Sequence, residues 1–316
     1  DTDYLQIKLT RPVPEGGEVR IRIDKTYKDP KSYYQEGNVI VFDRSLGIRR
    51  NSVMLPLGYE IISCNYPSQV AMEDDGHIRV SFMNDGVQSV PYKLMARPLQ
   101  NTALSIDDEA HPWPEYQPNP QGRDKSKARL SYEVSERAFQ DREIVYFLQQ
   151  PETHSFRLYH DYTEKRLGVN KYLNIVRAGS KASNPSAMIL DTGKKLKVET
   201  LKGDEISDKG IEINGASEDT EVVVIWFDAV KAGQSVRLRI EETYTDANRY
   251  LLYNGELIWD RSFGRNRNTV ILPEGWFLTA NSIPAKISLT EDGKVQLDYT
   301  NPRPDNIDVF IKGRRR

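Results

Sequence analysis

The sequence predicts an all-β protein, built of tandem immunoglobulin-like antiparallel β-sandwich domains of which the first and third are internal repeats. Three observations carry this. Residues 19–97 lie over residues 236–314 without a gap at a constant offset of 217, with about three in ten positions identical. Aromatic and β-branched residues, among them 17 Tyr, 9 Phe and 4 Trp, fall in short runs that alternate with polar residues, as half-buried strands require. Asp-Gly and Pro punctuate these runs at short intervals, the pattern of hairpin-connected strands.

Taken in order, an opening strand is expected near residues 5–9, matched by 222–226 in the second copy. Val19, Ile21 and Ile23 alternate with Arg20 and Arg22, and Val236, Leu238 and Ile240 with Arg237 and Arg239, so each run reads as a strand with one apolar and one charged face. The apolar runs 39–42 and 256–259 follow. Leu55-Pro56-Leu57-Gly58 returns as Leu272-Pro273-Glu274-Gly275 and breaks the chain, because Pro lacks the donor an inner ladder needs. Val70 and Met72 then lead through Asp75-Gly76 into Ile78, Val80 and Phe82, and Ile287 and Leu289 through Asp292-Gly293 into Val295, Leu297 and Tyr299. Asp-Gly supplies the backbone conformations of a tight hairpin. A last strand, 90–94 or 307–311, closes each copy.

Between the copies, residues 99–127 lose periodicity and gain Pro and acid, which reads as a linker with Trp113 pinning it to a neighbouring domain. Strands resume at 144–148, 156–162, 172–176, 188–190 and 196–201, with a short helix allowed over 135–142. The domains are therefore 1–98, a linker over 99–127, a middle β domain of different sequence over 128–217, and 218–316.

Charge is balanced, 44 Lys plus Arg against 46 Asp plus Glu for a net charge of −2, which speaks against a nucleic-acid partner. One cysteine, Cys64, rules out an internal disulfide framework and a cysteine-rich zinc site, and reads as an inert, half-buried thiol. No apolar run approaches a transmembrane segment, no signal peptide heads the chain, and no Asn-x-Ser/Thr acceptor with a permitted middle residue occurs.

Few residues are candidates for chemistry. His154 and His160 are about 20 Å apart along one strand, too far for one metal. His77 flanks a hairpin turn and His111 lies in the linker. Metallopeptidase, hydrolase-elbow, phosphate-loop and dinucleotide motifs are all missing from the sequence, so no cofactor, no metal and no catalytic residue is assigned. Ser45 and Ser262 have no histidine nearby in sequence. They belong to a repeated polar loop, Asp43, Arg44, Ser45, Arg50 and Asn51 in the first copy and Asp260, Arg261, Ser262, Arg267 and Asn268 in the second. In it the acids are expected to pair with arginine or accept from turn amides. The arginines at 20, 22, 44, 49 and 50 and at 237, 239, 261, 265 and 267 could form a basic strip, but interleaved acids favour cross-strand ion pairs. Tyr33, Tyr34, Tyr250 and Tyr253 are the candidate ligand-binding residues, as rings on which a sugar could stack or as tyrosines closing a sandwich edge.

As a whole the chain resembles the tandem β-sandwich accessory regions of bacterial secreted and cell-envelope proteins, in architecture and in no single motif. The resemblance implies a secreted, periplasmic or cell-surface location. The expected function is that of a non-catalytic structural or binding protein, making protein contacts or self-assembling through repeated sandwiches. A carbohydrate-binding protein is the second expectation, with a glycan as partner. A non-catalytic part of a larger secreted peptidase or glycosidase is the third.

Overall fold

The structure, a computed structural model, describes residues 6–100, 142–303 and 305–316. Most of the expected linker, with Trp113 and His111, and all but the last residue of the allowed helix lie outside the described residues. Within them the protein is an all-β fold of large sheets.

The first copy supplies β1 (Tyr33–Glu36), β2 (Val39–Leu46), β3 (Arg50–Met54), β4 (Tyr59–Met72), β5 (Ile78–Met83) and β6 (Val90–Pro98). The middle stretch supplies β7 (Arg142–Leu148), β8 (Ser155–Glu164), β9 (Lys171–Ile175), β10 (Lys181–Ile189), β11 (Lys197–Lys202) and the helix α1 (Asp204–Asp208). The second copy supplies β12 (Glu221–Trp226), β13 (Val236–Thr245), β14 (Tyr250–Tyr253), β15 (Glu256–Phe263), β16 (Arg267–Ile271), β17 (Trp276–Asn281), β18 (Ala285–Leu289), β19 (Val295–Thr300) and β20 (Ile307–Arg315). The Asp-Gly hairpins form as expected, Gly76 and Gly293 taking the positive φ of +84° and +77° that a side chain resists.

Two long ladders face one another. One runs β1-β2-β6-β4-β18-β19-β16-β7-β8-β13-β10. The other runs β3-β5-β4-β17-β20-β15-β14. Aromatic contacts across the gap fix the facing, Phe82 stacked on Tyr92 at 4.3 Å in the first copy and Phe263 against Tyr299 at 5.4 Å in the second. A small sheet, β9-β12-β11, packs Val223 and Ile225 into the main core on one face and buries Val222 and Val224 with Leu201 and Ile206 on the other.

β4 belongs to both ladders. Its first half pairs with β6 and its second half with β5, and β17 with β18 is its divided counterpart in the second copy. The two copies of this strand meet antiparallel, Cys64 opposite Ile287 and Ala71 opposite Ala280, about a near-two-fold axis by Pro67 and Pro284. Cys64 is thus fully buried in this seam rather than half-buried, its Sγ 3.2 Å from the Tyr66 carbonyl. At the equivalent position Asn281 accepts from the Val70 amide at 2.5 Å and donates to the Ser68 carbonyl at 3.1 Å.

The copies differ at two expected strands, the opening one, which forms as β12 in the second copy but not over residues 6–9, and the one that follows it. β13 lies between β8 and β10 and is paired along its length. Its counterpart at residues 19–28 pairs with no strand among the described residues, and Val19, Ile21 and Ile23 are about half exposed. The alternating pattern is the same, but among the described residues no second set of flanking strands receives it.

Candidate functional site

The polar motif expected as a loop lies largely on strands. Asp43, Arg44 and Ser45 are in β2, and Asp260, Arg261 and Ser262 in β15, so strand alternation parts them, arginine on one face and Asp and Ser on the other. Asp43 lies 3.7 Å from Lys93, and Ser262 donates to Asp308 at 3.0 Å. Asp260 lies 3.4 Å from Arg249, and burial raises its carboxyl above the ordinary range. Ser45 is exposed. Arg50 and Arg267 open β3 and β16, while Asn51 and Asn268 each donate back to a carbonyl three residues earlier, Ile48 and Arg265, which closes the turn before the strand. Among the described residues no three His, Cys, Asp or Glu side chains are grouped so as to hold a metal ion.

The tyrosines separate. Tyr33 and Tyr253 are exposed, Tyr34 is half-buried, and Tyr33 and Tyr34 are neighbours on β1 and so face opposite sides. Tyr250 is fully buried, its hydroxyl donating to the Gln149 carbonyl and its own carbonyl bonded to His154 Nδ1 at 2.8 Å, so it offers no ring face to a sugar.

What the fold does assemble is a socket, seen twice. In the second copy Tyr244, Tyr250, Trp259 and Arg261 surround Phe156, which β8 delivers from the middle stretch. Phe156 is 0% exposed and stacks on Tyr244 at 6.0 Å, meets Tyr250 and Trp259 edge-on at 6.3 Å each, and lies 5.0 Å under the Arg261 guanidinium. Arg261 is fixed from behind by Asp246 at 2.9 Å.

The same walls stand in the first copy as Tyr27, Tyr33, Phe42 and Arg44, lining an open cleft of about 540 Å³. The framework is the same to the hydrogen bond. The Tyr33 amide donates to the Asp29 carbonyl at 2.9 Å as that of Tyr250 does to Asp246, and the Asp43 amide to the Ser32 carbonyl at 2.8 Å as that of Asp260 does to Arg249. Arg44 lies 5.4 Å from the Tyr27 ring, where Arg261 lies 5.9 Å from Tyr244. A hydrogen bond with Ser32 is the main cause holding the Asp29 carboxyl below its ordinary range, with Arg44 adding its charge. Nothing described enters this cleft in the way Phe156 enters its counterpart.

The surroundings repeat the contrast. β16 carries β7 alongside it in parallel, Arg267 opposite Glu143 through Ile271 opposite Phe147, whereas among the described residues β3 has a ladder partner only on its β5 side. Met54 is 51% exposed and its counterpart Ile271 8%. Arg239 forms a two-bond pair with Asp161 of β8 at 2.7 Å, and Arg237 pairs with Asp191 at 2.6 Å, so the cross-strand ion pairing expected of the arginines is present here. Among the described residues their counterparts Arg22 and Arg20 reach only Asp24 and Glu18, neighbours in sequence, on well-hydrated side chains. Phe156 and Tyr27 escape a reading of single segments, since each looks like an ordinary alternating strand residue. The signal that finds them is the match of Tyr27 to Tyr244 and of Arg44 to Arg261.

No protein-family model matches the chain, and no curated protein matches it. Solved structures similar to it include an M1 zinc metallopeptidase from Deinococcus radiodurans, at 12% identity and a TM-score of 0.33 over 54% of this chain and 41% of that one. Another is an aminopeptidase N family protein from Idiomarina loihiensis, at 12% identity and a TM-score of 0.31 over 54% of this chain and 29% of that one. The chain spans less than half the length of either structure. Likeness at this level assigns neither a family nor an activity.

Proposed function

We propose that this chain is a non-catalytic structural or binding protein that makes protein contacts through a β surface held open by its first copy. The observation that carries the reading is the contrast between the copies. β13 and β16 are covered by β8, β10 and β7, while residues 19–28 and the outer edge of β3 expose the corresponding apolar row and strand edge. An unpaired edge is a template for another strand, and contiguous exposed apolar residues mark association surfaces. An extracellular or periplasmic setting belongs to the same reading and rests on the resemblance to envelope accessory regions.

Light scattering of the purified chain over a range of concentrations, together with capture from an envelope extract of the source organism, tests this against an Ile21→Asp/Ile23→Asp variant. Association or capture that the variant abolishes is expected. A strict monomer that retains no partner, or retention equal in the variant, would overturn the reading.

A further inference from the structure

We infer that the cleft formed by Tyr27, Tyr33, Phe42 and Arg44 is a socket for an aromatic side chain carried on an antiparallel β-strand of a partner protein, a strand with a carboxylate five residues after the aromatic. The inference rests on the protein-contact reading and names the chemistry of the partner. Its basis is the occupied socket in the same molecule. On β8, Phe156 stands opposite Tyr244 and Asp161 opposite Arg239. Transferred at the offset of 217, the aromatic stands opposite Tyr27 and the acid opposite Arg22.

Three independent features fit such an occupant. The walls of the open cleft already hold the geometry of the filled one, including the guanidinium over the tyrosine ring. That arrangement suits a ring, which gains dispersion from two aromatic walls and a cation–π contact from the arginine. Among the described residues Arg22 and Arg20 meet no carboxylate from another strand at the positions where Arg239 and Arg237 meet Asp161 and Asp191, so the charge that would complete the match is negative. Ile21 and Ile23 are about half exposed, where Leu238 and Ile240 are fully buried between flanking strands. Main-chain pairing would supply affinity, and the ring with the carboxylate opposite Arg22 would supply register. The next position on the face of Ile21 and Ile23 also discriminates, because Lys25 stands where the second copy has the buried Glu242. A partner strand is therefore expected to tolerate a cation there.

A labelled peptide with the sequence of residues 153–165 is the probe, titrated against the full chain by fluorescence anisotropy, with hydrogen exchange locating where it binds. Binding that protects residues 18–28 is expected. It should weaken about tenfold or more when the peptide carries Phe156→Ala or the protein carries Arg44→Ala. Arg22→Glu, at a hydrated position that leaves the fold intact, should weaken it comparably, and a peptide with Asp161→Arg should restore it. Protection of residues 18–28 that is indifferent to Phe156, Arg44 and the charge exchange would overturn the socket and leave the protein-contact reading standing. No binding of the peptide, in a chain that still associates through Ile21 and Ile23, would likewise overturn the socket alone.

Discussion

Glu242 is buried on β13 with one carboxylate oxygen bonded to Asn174 at 2.7 Å and the other bonded to no group among the described residues. Burial raises its pKa from 4.5 to about 7, Asn174 offsetting only part of the shift. The folded protein therefore holds this proton over a range in which the unfolded chain has released it. Stability from this group is full below about pH 4.5 and falls as pH rises to about 7, by about 3 kcal/mol in all. Urea midpoints measured between pH 5 and pH 8 should show that decline, and Glu242→Gln should flatten it and raise the midpoint at pH 8. An unchanged slope in the variant would assign the pH dependence to other groups. At the same scale, Tyr33 and Tyr250 show what sequence can and cannot tell. Both were legible as aromatic residues in a turn-rich segment, but burial of one and exposure of the other depends on Phe156, more than ninety residues from Tyr250 in the chain.

At the scale of elements, residues 19–27 and 236–244 carry the same alternation, and among the described residues only the second forms a ladder. Strand propensity is a statement about fitting a half-buried surface, and the surface is supplied by other strands. Leu238 is 0% exposed between β8 and β10, so Leu238→Ala should cost about 2–5 kcal/mol. Ile21→Ala, at the matching position, should change stability by less than about 0.5 kcal/mol. Equal losses in chemical denaturation would mean that residues 19–28 are packed in the isolated chain. The hairpins, the closing strands and the breaks at Pro56 and Pro273 were legible because their causes are local: turn chemistry, period-two alternation and the missing amide of Pro. The placement of Asp43, Arg44 and Ser45 on a strand was not, because three consecutive polar residues look like a loop when the ladder that parts them is formed with β6 from far along the chain.

For the whole molecule, the duplication signifies more than two similar modules side by side. The two copies exchange strand partners through β4 and β17–β18, so one pair of facing ladders runs through both. Asn281 secures the seam by two bonds to the main chain of the first copy, while Cys64 at the matching place binds within its own strand. Asn281→Ala leaves the Val70 amide without its acceptor in a buried place and should lower stability by about 1–3 kcal/mol, read from the urea midpoint. A loss too small to measure would show that the seam holds without it. None of this was legible in either copy alone, since a strand's partner across a two-fold axis leaves no mark on its own periodicity.

One set of strands covers the second copy while, among the described residues, the first stands open. Hydrogen exchange of the full chain, resolved to short segments, tests it most directly. Amides of residues 18–28 should exchange within about tenfold of the rate of an unstructured chain, and those of 236–245 more slowly by about a thousandfold or more. Equal and strong protection of both segments in the isolated, monomeric chain would contradict the account.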